Sequence, residues 1–221
     1  MPYTEQNLKQ LAKSVQKIES RKEHQYAAPT YKDTAELSKI AETVESQLET
    51  EKPWDRNTLD NSIFFVRYLA NSYEKMWRCA LSVKYYNMLI KLLSAKAEMY
   101  SETDEESFDD YYSAVRARNY YSYDSCDDLS EFADKFLPND VKSKIENEVL
   151  SRKSGLRHDP TELSDEYLAV IDEVEQRIDE ANTGDMHNFE RIKLKSQLLK
   201  EYGIDWKSEI ELNPNVHFDC M

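Results

Sequence analysis

Glycine occurs only three times in this chain of 221 residues, at Gly155, Gly184 and Gly203, and proline only six times. Sheet proteins turn tightly and often, and tight turns use Gly, Pro and Asn in quantity. Their scarcity excludes a many-stranded sheet and leaves helix as the expected state. Cysteine is equally thin: Cys79, Cys126 and Cys220 are odd in number, far apart and without a C-x-x-C pair. Such spacing indicates neither a disulfide framework nor a zinc site, so Cys79 and Cys126 read as small buried hydrophobes. Long apolar runs are missing too. The best, Ile63 to Ala70, is interrupted by Arg67 and falls short of the roughly 20 residues that span a bilayer. No apolar h-region opens the chain, and the expected location is cytoplasmic.

Positive charge is in deficit. With 29 basic against 43 acidic residues the net charge is −14. Each phosphate neutralised needs a Lys or Arg nearby, so nucleic acid is not an expected partner. An anionic membrane surface is disfavoured for the same reason. Basic peptides, cations or simply solvent suit the field better.

What the chain does have is helical period. Hydrophobic residues at 40% supply a core for one large domain or two small ones. Thr4 is placed to cap a helix carrying Leu8, Leu11, Val15 and Ile18 on one face. Asp33 to Glu36 reads as a capping box opening a second helix, with Leu37, Ile40, Val44 and Leu48, that packs antiparallel on the first. The densest apolar and aromatic stretch runs from Asn57 to Tyr100 and contains no Pro or Gly. As one helix it would be roughly 65 Å long, against a radius of gyration of roughly 17 Å for a compact chain of this size. A hairpin with its turn near Met76 to Cys79 is therefore expected.

Beyond it, Thr103 and Glu106 are placed for another capping box, ahead of a helix with Phe108, Tyr111, Tyr112 and Val115. Asp140 is placed to cap the next, and Gly155 to end it. Ser164 starts a helix with Leu168, Ile171, Val174 and Ile178. Gly203 is the C′ residue of the last long one. Asn213-Pro214-Asn215 marks a turn, with Val216 and Phe218 as anchors of an extended tail, docked either on its own hairpin or on another protein. The expected organisation is an all-α body over 1–155, built on the central hairpin 57–100, and a C-terminal helical pair with its tail over 156–221.

Within the hairpin, Leu69, Ala70, Tyr73, Ser82 and Tyr86 resemble the tetratricopeptide repeat, with a poorer second copy at Ala114, Ala117, Cys126, Ala133 and Pro138. Trp77 stands where that family has a turn glycine and Leu89 where it has alanine. The two copies lie further apart than the family's ~34 residues. The resemblance implies antiparallel helical hairpins, TPR-like or an irregular bundle, and a concave groove that binds peptides. It also implies a basic residue and an Asn one turn later gripping a carboxylate, which places Arg67 and Asn71 in that role, with Arg118 and Asn119 in the second copy. Arg suits it because it donates two parallel N–H bonds. Tyr111 and Tyr112 flank the groove as large, stiff contact surfaces.

Catalytic patterns are weaker. Glu102, Glu105, Glu131 and Asp134 loosely resemble the acidic pairs of all-α nucleotide pyrophosphohydrolases, whose oxygens hold Mg²⁺. His158-Asp159 resembles the HD pair of metal phosphohydrolases, but Pro160 follows it and the pair reads as a turn. No Gly-rich phosphate loop or nucleophile elbow is visible. An acidic mimic of nucleic acid is the third alternative. The sequence thus points to a scaffold that binds a protein or peptide, carboxylate-bearing or basic, with no cofactor, no metal and no catalysis of its own.

Overall fold

The computed structural model describes residues 3–22, 24, 27–49, 54–100, 105–121, 137–145, 147, 156–182, 184 and 186–218, without the side chains of 105–107 and 118–121. Among these residues every regular element is helical and there is no strand. The helices are α1 (Glu5–Arg21), α2 (Thr34–Leu48), α3 (Arg56–Lys75), α4 (Cys79–Tyr100), α5 (Glu105–Tyr121), α6 (Asn139–Ile145), α7 (Asp165–Ala181), α8 (Asn188–Glu201) and α9 (Glu209–Leu212). Among the described residues no helix is long and apolar enough to cross a membrane.

Helices α1 to α5 pack in sequence order and form two layers. In the first, α1, α3 and α5 run side by side in the same direction. Tyr3 and Ser62 share a hydroxyl hydrogen bond of 3.0 Å, and the Tyr68 hydroxyl donates to Glu19 at 2.8 Å. Arg67 reaches Asp110 and Arg116 reaches Glu74, so α3 and α5 also pair in ascending order. In the second layer, Lys84 and the Tyr85 hydroxyl of α4 both reach Glu45 of α2, each at 2.8 Å. The buried apolar residues fall into two clusters, one spanning Tyr3 to Ile145 and one spanning Tyr167 to Trp206.

The central stretch is a hairpin. Its two helices meet through small residues, since Ala70 and Ser82 are both completely buried and the Ser82 hydroxyl donates to the Ala70 carbonyl at 3.3 Å. Above that contact the Tyr73 and Tyr85 rings stack with centroids 5.6 Å apart. The turn that joins them is unusual. Trp77 adopts φ 57°, the left-handed region that Gly takes freely and a bulky side chain does not.

Helix ends follow the expected chemistry in several places. Thr4 accepts from the Asn7 N–H, Ser164 from the Tyr167 N–H, and Gly203 turns the chain after α8 at φ 78°. The box expected at Asp33 to Glu36 does not form. A 3-10 turn, Tyr31–Asp33, precedes α2, and the Asp33 carboxylate turns back to the Thr30 N–H and to Arg21. Glu36 points away from its own helix end and crosses to α1, where Ser14 donates at 2.7 Å and Lys17 at 2.9 Å. Ion pairing between helices outcompetes the local cap because it satisfies a carboxylate that is 8% exposed. Thr103, the Glu106 side chain, Gly155 and Cys126 lie outside the described residues, so the box and cap expected there and the burial of Cys126 do too; Asp140, expected as a cap, lies inside α6, and Cys79 is buried.

Hydrogen bonds from Lys17 and Ser14 hold the Glu36 carboxyl at about 2, well below its ordinary 4.5. A carboxyl depressed in the fold contributes stability above its unfolded value and loses it as pH falls toward the folded one. Lys17 and Lys39 are about half exposed, so solvent screens much of this. Between pH 5 and pH 2, the wild type should therefore lose ~1–2 kcal/mol more stability than Glu36→Gln. Urea denaturation at the two pH values measures it, and equal losses in both proteins would rule out the assignment.

Candidate functional site

The described residues enclose a cleft of about 1120 Å³ between the helical body and the C-terminal pair. The body contributes Pro29 to Tyr31 and the α3–α4 turn, with Met76 and Trp77. Opposite stand Ile178 of α7 and Phe189 and Ile192 of α8, while Trp206, Ile210 and Phe218 come from the C-terminal segment. Two of the aromatics are held out to solvent: Trp77 is 71% exposed and Phe189 56%. An exposed pair of this size lining one cleft is an apolar surface that no described residue covers.

The cleft's charges are partly neutralised in place. Arg191 pairs with Asp179 at 3.4 Å beside the turn that joins α7 to α8. Lys195 lies over two rings, its Nζ 4.5 Å from the Trp206 centroid and 5.6 Å from that of Tyr167. Burial works against its charge, but the neighbouring Tyr167 and Glu162 outweigh that and raise its pKa. The Trp206 indole N–H in turn donates to Glu162 at 3.0 Å. This stack fixes the inner wall.

The two halves of the cleft are tied by Arg78, immediately after Trp77. Its guanidinium is 6% exposed and meets Asp172 at 2.8 Å and Glu175 at 2.9 Å, both on α7. The Thr34 hydroxyl donates to the same Asp172 at 3.1 Å. Beside this tie lies a second polar cluster. Cys79 opens α4, His158 sits in the segment before α7, and Glu209 opens α9; their ligand atoms lie within 4.8 Å of one another. His158 Nδ1 is 3.1 Å from Glu209 Oε1.

Comparison with known proteins adds no relative. No protein-family model, curated protein or solved structure matches the chain. The site therefore rests on its own geometry.

The residues singled out in the sequence lie elsewhere. Arg67 donates from Nε and Nη2 to both oxygens of Asp110, at 2.6 to 2.9 Å, so the carboxylate it grips belongs to its own chain. Asn71 Oδ1 lies 2.8 Å from the Tyr86 hydroxyl, which also reaches Glu74 at 2.8 Å. Tyr111 is 1% exposed and belongs to the core. Tyr112 is half-buried, with Lys144 of α6 5.1 Å from its ring centroid. The side chains of Arg118 and Asn119 lie outside the description, as do Glu102, Glu131 and Asp134 and the side chain of Glu105. Two residues named from the sequence for other reasons line the cleft: Trp77, noted as a departure from the repeat pattern, and Phe218, read as an anchor of the tail. Of the Cys79, His158 and Glu209 cluster, Cys79 was read as a buried hydrophobe and His158 as part of an HD pair in a turn; the grouping itself left no signal, because its members are far apart along the chain.

Proposed function

We propose that this chain is a helical scaffold that binds a protein segment in the cleft beside Trp77 and carries out no catalysis of its own. The occupant is an extended peptide presenting an aromatic side chain with Lys or Arg beside it. Trp77 carries the reading. A bulky residue in the left-handed region costs about 1–2 kcal/mol, and a side chain left 71% exposed recovers little of that by packing. A Trp kept at such a cost, at the mouth of an apolar cleft, has its use outside the fold.

Two observations support the kind of occupant. The chain's own Phe218 already lines the cleft, so an aromatic side chain is a shape the cleft accepts. The net charge of −14 favours a basic segment. A carboxylate-bearing peptide loses its rationale once Arg67 is engaged by Asp110.

Selection from a random peptide library should enrich sequences with an aromatic flanked by Lys or Arg. Two variants then move affinity in opposite directions. Trp77→Gly should weaken the selected peptides roughly tenfold or more, as loss of an aromatic anchor does, while raising stability by about 1 kcal/mol through relief of the turn. Phe218→Ala should tighten binding a few-fold by removing a competitor in cis. No enrichment, or affinity indifferent to Trp77, overturns the proposal.

A further inference from the structure

We propose that Cys79, His158 and Glu209 form a site for one zinc-type divalent cation that clamps the start of α4 to the C-terminal segment. The inference does not need the peptide reading, because its donors are not the anchors Trp77 and Phe218 that carry that reading, although Glu209 also lines the cleft.

The donor set is the first argument. A thiolate sulfur, an imidazole nitrogen and a carboxylate oxygen are together the ligands that borderline-soft zinc takes. A hard cation such as Mg²⁺ would want oxygens throughout. Three protein ligands leave the fourth tetrahedral position to water.

The second argument is distance. Ligands ~2.0–2.1 Å from a tetrahedral ion stand about 3.3 Å apart, and His158 Nδ1 and Glu209 Oε1 are 3.1 Å apart. All three donor atoms fall within 4.8 Å. A bound ion would draw sulfur to about 3.5 Å from the other two, by adjustment of the side chains in the cluster.

The third argument is that the backbone holds these donors in place. Asn213 accepts from the Arg157 N–H at 2.8 Å and donates to the Arg157 carbonyl at 2.9 Å, fixing the residue before His158. Asp159, the residue after it, accepts from the Lys207 N–H at 2.7 Å and from the Thr161 N–H at 2.9 Å. His158 is thereby held on both sides against the segment that carries Glu209. Ser208 and Glu211 form a capping box around the first turn of α9, which fixes Glu209 in turn. Cys79 is fixed by the strained turn ahead of it, its thiol reaching the Trp77 carbonyl at 3.5 Å. It also sits at the positive end of the α4 dipole, where negative charge on sulfur is favoured.

On binding, the Cys79 S–H bond breaks and an S–metal bond forms, the proton leaving to solvent. Neutral His158 gives its nitrogen lone pair and the Glu209 carboxylate an oxygen lone pair. No electron changes hands.

Cobalt(II) is the probe, because thiolate ligation gives it a near-ultraviolet charge-transfer band. Full-length protein stripped with a chelator and titrated with Co²⁺ should develop that band to saturation at one equivalent, and Zn²⁺ should abolish it. Cys79→Ser should remove the band, whereas Cys126→Ser/Cys220→Ser should retain it. Glu209→Gln, at a part-exposed position, should weaken Co²⁺ binding by more than the 10- to 100-fold typical of losing an outer partner. Zn²⁺ should raise the melting temperature of the wild type and leave that of Cys79→Ser unchanged. The proposal fails if folded wild type gives no thiolate band, or if the band disappears in the Cys126→Ser/Cys220→Ser protein, which identifies a different thiol.

Discussion

Arg78→Ala should lower the free energy of unfolding by about 3 kcal/mol, the lower end of what breaking a buried ion pair costs. The guanidinium is 6% exposed, while its partners Asp172 and Glu175 are 38% and 26% exposed and recover some hydration when it is removed. That partial recovery keeps the effect at the lower end. Burial opposes the charge of Arg78, but Glu175 and Asp172 overcome it and raise the pKa, so it is cationic at every pH of interest. The loss should be local as well as global. Since Arg78 joins the α3–α4 turn to α7, amide exchange in α7 and α8 should accelerate more than in α1 to α4. Adding 0.5 M salt should change the difference little, because buried charges are poorly screened. Urea denaturation and exchange mass spectrometry measure both. A cost within 1 kcal/mol of zero would show that this residue does not hold the C-terminal pair to the body.

Arg67→Ala should also cost about 3 kcal/mol, and its value lies in separating two roles for the same residue. If Arg67 gripped a peptide carboxylate in a groove, its removal would abolish binding and leave folding intact. The structure instead gives it a forked contact with Asp110, with side chains 21% and 9% exposed. Removing the cation strands a carboxylate between α3 and α5, and the penalty of that orphan exceeds the loss of the bond itself. Arg67→Ala/Asp110→Ala should therefore be more stable than Arg67→Ala alone. A double-mutant cycle should give a coupling of roughly 2–3 kcal/mol. Additive single effects would mean that the pair contributes nothing beyond its separate side chains, and would return Arg67 to the list of residues free for a partner.

These residues also show how far the sequence could be read. Apolar residues three and four apart located α1, α2 and α7, and Thr4, Ser164 and Gly203 marked ends of α1, α7 and α8, because each of those signals acts within about one turn of helix. The turn at Met76 to Cys79 was also legible, though only from the length that an unbroken helix would have had. Asp33 and Glu36 misled for the opposite reason. Both had the spacing of a local cap, yet Ser14 and Lys17 on α1 offered Glu36 a stronger set of donors. Arg67 went astray differently: the repeat resemblance implied a grip on a peptide carboxylate, and the carboxylate it meets lies 43 positions along its own chain.

The sequence by itself determined that this chain is helical, where several of its helices begin or end, and that its field is negative. Those properties follow from composition, period and charge, all of which are set by neighbours along the chain. Only the tertiary structure decided which acid meets which base, that Trp77 bends backward at the mouth of a cleft, and that a thiol, an imidazole and a carboxylate come together. Such pairings depend on how helices cross, and crossing geometry is fixed by packing across the whole core and not by any local pattern.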